Sequence, residues 1–183
     1  LLLAGVIVNA FFSALIMFLV SLSSRNELHN VLFWLMGDLS LASRREIFLA
    51  GISMLAISAF IYHNSKALNL LVMGEETALQ LGINVEKTKK RLFFAASLLT
   101  AVAVSSSGII GFVGLLVPHM MRLVFGADHR VLLPVTALFG ALFLVAADSV
   151  ARTITAPTEL PVGVITALCG APFFIYLLRK KTI

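Results

Sequence analysis

The first twenty-two residues, Leu1–Leu22, contain no charged side chain, and uncharged apolar runs of similar length recur to the end of the chain. A helix crossing a bilayer needs about 20 mostly apolar residues, with a range of roughly 17–25. Six stretches come near that requirement. They are Leu1–Leu22, Ile47–Tyr62, Leu92–Ser107, Ile109–Phe125, Pro134–Thr153 and Pro161–Leu178. The third and fourth are separated only by Ser105-Ser106-Ser107-Gly108. Pro134 and Pro161 suit first helical positions, where an N–H has no partner to lose. The chain is 60% hydrophobic and 13% charged, against about 45–50% and about 25% in soluble domains. Lipid must therefore replace water around much of it. The predicted fold is all-α, a polytopic transmembrane helix bundle forming one membrane domain over residues 1–183.

Basic residues give the orientation. If the six spans alternate, the side that holds Arg179, Lys180 and Lys181 also holds Lys66, Lys87, Lys89, Lys90, Arg91, Arg122 and Arg130. That is ten of the fourteen basic residues, and the positive-inside rule makes this side cytoplasmic. Arg25, Arg44, Arg45 and Arg152 fall outside. The net charge of +5 reads as a topology signal rather than a nucleic-acid footprint, since no basic run is interleaved with aromatics. Ser23–Glu46 lies outside and carries the cluster Val31-Leu32-Phe33-Trp34-Leu35-Met36. An interfacial helix fits it, because Trp favours that depth. The chain opens inside an apolar run with no basic region before it, so it is no signal peptide and reads as the later part of a longer protein. Cys169, the single cysteine, reads as a buried small hydrophobe.

The cytoplasmic loop 64–91 is the most polar part. Within it, Glu75 and Glu76 suit the positive end of a helix dipole, and Gly82 suits the residue after a helix end, where glycine takes positive φ at little cost. A two-turn helix over Glu75–Gly82 follows, presenting Ala78, Leu79 and Leu81. So short a helix is unstable alone in water and must dock, either on this protein's own surface or on a partner. Farther on, Gly108, Gly111 and Gly114 are three apart, a spacing that lines one side of a helix and admits a neighbouring backbone. Pro118 inside that span frees a carbonyl and predicts a kink. Gly170-Ala171-Pro172 marks another kink or close crossing. His119 has no second ligand at metal spacing and reads as structural. Asp148 and Arg152 are four apart with the acid first, the favourable order for an intrahelical pair. Glu159, between Pro157 and Pro161, reads as a solvated loop residue. No phosphate-binding loop and no H-E-x-x-H occur, so no catalytic group, metal site or cofactor is assigned, and ATP-driven work would need another chain.

In combination these motifs resemble the FecCD-type permeases, which import iron–siderophores, haem and vitamin B12. Gly108–Arg122 is similar to that family's G-x-[IV]-x-F-[IV]-G-L-x-x-P-H-x-x-R signature. Asp128-His129-Arg130, Leu132-Leu133-Pro134, Ala147–Arg152, Glu159–Val164 and Gly170–Phe174 follow in the family's order. Trp34-Leu35-Met36-Gly37 and Gly74–Gly82 precede it. The resemblance implies a subunit of ten spans, both termini cytoplasmic, working as a homodimer in the cell inner membrane, of which this chain holds about six spans and lacks roughly the first four. It implies an ABC ATPase subunit docked on Glu75–Gly82 as the coupling helix, and a periplasmic or lipid-anchored substrate-binding protein docked through Arg152. Leu1–Leu22 would line the pathway at the dimer axis. A ferric siderophore is the expected cargo, with haem and cobalamin next. The competing reading is a secondary transporter or channel, which deep charges in several spans would favour. An intramembrane enzyme would need His119 and Asp148 brought together.

Overall fold

A computed structural model describes residues 2–40, 42–154 and 160–181. Nine helices are found among them and no strand. α1 (Leu2–Leu22) is followed by the short α2 (Arg25–Met36) and by α3 (Arg44–His63). Two small helices, α4 (Ser65–Val72) and α5 (Glu75–Gln80), lead into α6 (Val85–Ser107). α7 (Val113–Phe125), α8 (His129–Ile154) and α9 (Val162–Lys181) complete the bundle. α3 packs on α6, and α7 and α9 pack on α8. The helix ends alternate between two poles. α4, α5 and the start of α8 meet at one, here called inner. α2, the end of α6 and the start of α9 meet at the other, the outer.

Among the described residues, three helices are long and apolar enough to cross a membrane unaided: Leu3–Leu22, Arg44–His63 and His129–Ile154. Leu1 and Glu159, together with Pro157, lie outside the described residues. Several expected boundaries move, each for a local reason. α3 starts at Arg44 because Ser43 caps it. The Ser43 hydroxyl accepts from the Glu46 N–H at 3.3 Å, and the Glu46 carboxylate accepts from the Ser43 N–H at 2.8 Å, a complete capping box. α6 begins seven residues before Leu92, at Val85, because the Asn84 side chain accepts from the Lys87 N–H. Its charged first turns are helical outside the apolar stretch. α8 starts at His129 rather than Pro134, since Asp128 caps it through the Arg130 N–H at 2.9 Å. Pro134 lies inside the helix. Pro161 immediately precedes α9 rather than opening it.

The largest departure is at Gly108–Phe125. Only Val113–Phe125 is helical, about 20 Å at 1.5 Å per residue, which is short of a crossing. Gly108 and Gly111 therefore do not share a helix with Gly114, and the three glycines do not line one helix side. The reason is a γ-turn. The Val113 N–H donates to the Gly111 carbonyl at 2.9 Å, and Phe112 takes φ +67°. It is the one non-glycine residue with positive φ among those described, a conformation strained for a bulky side chain. Cys169 is likewise exposed rather than buried, because α9 turns Val162, Gly163, Thr166 and Gly170 inward instead.

Candidate coupling and docking sites at the two poles

At the outer pole three backbones meet without side chains between them. The Ile109 N–H donates to the Trp34 carbonyl at 3.2 Å, the Asp38 N–H to the Ser107 carbonyl at 3.0 Å, and the Gly163 N–H to the Gly37 carbonyl at 3.2 Å. These bonds join α2 to the break between α6 and α7 and to the start of α9. A Cβ on Gly108 would lie 2.0 Å from the Trp34 carbonyl oxygen, and one on Gly163 would lie 1.9 Å from that of Met36. Gly37 (φ +80°) and Gly108 (φ +68°) are also left-handed. On α9, Gly170 admits Phe112, whose Cβ would lie 2.3 Å from a Cβ there. That contact holds the strained turn, and it is the close crossing expected of Gly170-Ala171-Pro172. Thr166 is fully buried, with its hydroxyl donating to the Gly163 carbonyl at 3.0 Å. Irregular backbone inside a membrane protein persists only where protein satisfies and covers it, and α2 does so here. By contrast, a Cβ on Gly111 or Gly114 would meet nothing within 4 Å. Pro118 and Pro172 sit inside α7 and α9, which continue through them.

Near the same pole, Arg152 Nε donates to Asp148 Oδ2 at 2.7 Å, one turn apart on α8. The pair is partly exposed, so it contributes little to stability. α8 now begins at His129, so Arg152 is about 35 Å along it, beyond the roughly 30 Å hydrocarbon thickness. Asp148 is thus paired with Arg152, and the His119 side chain on α7 makes no hydrogen bond or ion pair among the described residues. No cluster of three or more His, Cys, Asp or Glu that could hold a metal is found among the described residues.

At the inner pole α5 is present as expected, although shorter, and both glycines flanking it are left-handed. Gly74 (φ +123°) precedes it and Gly82 (φ +82°) follows. The Gly82 N–H donates to the Leu79 carbonyl and the Ile83 N–H to the Ala78 carbonyl, each at 3.0 Å. This is a Schellman motif. Ala78 is fully buried, while Leu79 and Leu81 are 58% and 59% exposed. α5 packs on α4 and α6, and Glu75 forms an ion pair with Lys89 on α6. Glu76 is exposed. The two docking alternatives are therefore divided between two faces: Ala78 faces this protein, and Leu79 and Leu81 face away.

The sequence reading missed α4 and its anchor. Asn69 Nδ2 donates to Asp128 Oδ1 at 2.6 Å, and Asn69 Oδ1 accepts from the His129 N–H at 2.9 Å and lies 2.7 Å from His129 Nδ1. One amide thus ties α4 to the first turn of α8. The only signal was an apolar spacing in Ala67, Leu68, Leu70 and Leu71 around a single Asn, too short to separate from loop. The Arg130 N–H, and then the Asn69 amide, hold the Asp128 carboxyl below the ordinary carboxylate value. A depressed folded-state value gives stability that is present above the unfolded value and fades as pH falls through the folded one. Asp128→Asn is thus expected to lower the melting temperature at neutral pH. The difference from wild type should close as pH falls through the lowered folded-state value of Asp128. A pH-independent difference in thermal melts would refute a charge-based clamp.

The geometry defines a multi-pass helical membrane protein with a preformed helix at one pole and a glycine-packed backbone junction at the other. The chain belongs to the FecCD transport family, whose model matches residues 1–180. It is 50% identical, over its whole length, to the cobalamin import system permease protein BtuC of Halobacterium salinarum, of which it covers 49%. It is 42% identical over 99% of its length to the hemin transport system permease protein HmuU of Yersinia pestis, of which it covers 54%. A solved chain described as of the metal-chelate type of ABC transporter, in an inward-facing conformation, superposes with a TM-score of 0.88 at 37% identity, covering 97% of this chain and 58% of that one. The chain spans about half the length of the curated relatives it matches.

Proposed function

We propose that this chain forms the later half of the permease subunit of an ABC importer for a metal chelate. Two copies would frame one pathway in the inner membrane, with the C-terminus cytoplasmic, a separate ATPase subunit at the inner pole and a substrate-binding protein at the outer one. The observation that carries the reading is α5. It is capped at its C-terminal end and anchored on its own protein through Ala78, yet it leaves Leu79 and Leu81 uncovered outside the spans. The excess of basic residues at the inner pole supports the orientation. Cobalamin and hemin are named for relatives at 50% and 42% identity, whereas a ferric siderophore rests on the motif resemblance alone. The cargo is accordingly a metal chelate, with cobalamin and haem the better supported.

The test is uptake. In proteoliposomes, the full-length permease with its ATPase is expected to take up a chelate only with internal ATP and the cognate loaded binding protein. Uptake without ATP, driven by an ion gradient, would overturn the reading. The same system tests the outer pole. Arg152 stands at the outer end of α8, and as a rim charge it should act on association in a salt-sensitive way. Arg152→Glu is expected to weaken binding-protein affinity about tenfold at low salt, with the difference shrinking at high salt. Equal affinity at low salt would confine Arg152 to a structural role within the permease.

A further inference from the structure

The end of α3, the start of α4 and the first turn of α8 surround a groove of about 440 Å³ at the inner pole. Ala59, Tyr62, His63, Ser65, Lys66 and Arg130 line it. Lys66 and Arg130 are exposed, and neither takes part in an ion pair. The pairs found among the described residues are Glu75–Lys89, Glu86–Lys90 and Asp148–Arg152. The adjacent acid, Asp128, accepts with Oδ1 from Asn69 and from the Arg130 backbone. Lys66 and Arg130 thus border one groove; Asp128 attracts Arg130 electrostatically, but among the described residues no carboxylate forms an ion pair with either cation.

The groove continues along α3. Phe48, Ile52, Leu55, Ala59 and Tyr62 recur at alternating spacings of four and three, which places them on one helix face, and all five are exposed. The stripe runs about 21 Å, more than half the roughly 30 Å hydrocarbon thickness. Its lower members are strongly apolar, with Leu55 73% and Phe48 68% exposed. Tyr62 and Ala59 belong to both the stripe and the groove. A cationic cup at the membrane boundary, joined to an apolar track one leaflet long, has the shape and polarity of one ligand class. We propose that this groove binds an anionic phospholipid, with its phosphate between Lys66 and Arg130 and its acyl chains along α3. A free phosphate would use the cup but leave the stripe idle. An apolar protein span would cover the stripe but would supply no anion for Lys66 and Arg130.

The inference goes beyond the transport reading and is tested without it, on the full-length permease alone. Delipidated protein is titrated with phosphatidylglycerol or phosphatidylcholine of the same acyl chains, and bound lipid is counted by native mass spectrometry. Phosphatidylglycerol should bind preferentially, and the double variant Lys66→Ala/Arg130→Ala should lose about thirtyfold in its affinity, with phosphatidylcholine unchanged. Lys87→Ala, an exposed basic residue on α6 away from the groove, should leave the preference intact. Arg130→Lys, which keeps the charge, should retain most of it. An unchanged affinity in the double variant would overturn the proposal. So would an equal loss with Lys87→Ala, which would show general surface charge. Displacement of phosphatidylglycerol by inorganic phosphate would make the cup a free-anion site. Loss of ATPase association in the double variant with lipid binding unaffected would make it a protein contact.

Discussion

Gly163→Ala is expected to abolish the outer junction, with a loss of about 3 kcal/mol or more, although it adds one methyl group. The new Cβ would sit 1.9 Å from the Met36 carbonyl oxygen and 3.4 Å from that of Ile109. Both obstacles are backbone, so no rotamer change relieves the clash. α2 would have to leave α9, which breaks the Gly163–Gly37 bond and uncovers the irregular segment after Gly108. Unpaired polar backbone at membrane depth is costly, so the methyl group acts well beyond its own volume. Gly108→Ala should be at least as severe, because its Cβ would meet the Trp34 carbonyl oxygen at 2.0 Å and its φ of +68° adds backbone strain. Gly111→Ala and Gly114→Ala are the controls, since a Cβ at either meets open space. Gly114→Ala, in a helix, should be neutral or slightly stabilising. The comparison is read from thermal unfolding of the full-length permease in detergent. If all four variants melt alike, the junction does not hold the fold.

Those four glycines show what the sequence made legible and what it did not. Uncharged length, basic-residue bias and terminal caps depend on neighbours in sequence. They yielded a helical membrane bundle, the alternation of its spans and the short helix at Glu75. Gly108, Gly111 and Gly114 look alike because spacing is all the sequence offers, and a spacing of three is ambiguous between a helix side and a loop. Which glycine is indispensable depends on Trp34 and Met36, about seventy to one hundred and thirty residues away, and no local pattern encodes that. Asn69 was invisible for the same reason, since its partners Asp128 and His129 lie about sixty residues on. Pro134 misled in the opposite direction. Proline at a first position is a sound local preference, but the side chain of Asp128 captured the helix start five residues earlier.

Leu79→Asp is expected to separate permease from ATPase while leaving the permease folded, and the division of α5 into two faces is the reason. A helix of six residues cannot persist by itself. This one is held by its C-terminal Schellman motif, by the buried Ala78 and by the Glu75–Lys89 pair, none of which involves the Leu79 side chain. The substituted carboxylate would remain solvated in the free permease and would add no strain there. In the complex it would be buried without a partner, and an uncompensated buried charge costs about 3–5 kcal/mol, a hundredfold or more in affinity. Leu81→Asp should behave similarly. Ala78→Asp should differ in kind, because its charge would be buried in the permease itself and should lower the melting temperature before any ATPase is added. Glu75→Ala, which removes an exposed ion pair, should cost no more than about 1 kcal/mol. Co-purification of the ATPase and thermal melting of the permease together separate these outcomes. Wild-type ATPase yield with Leu79→Asp, at normal transport, would leave α5 as part of the permease's own packing and remove it from coupling.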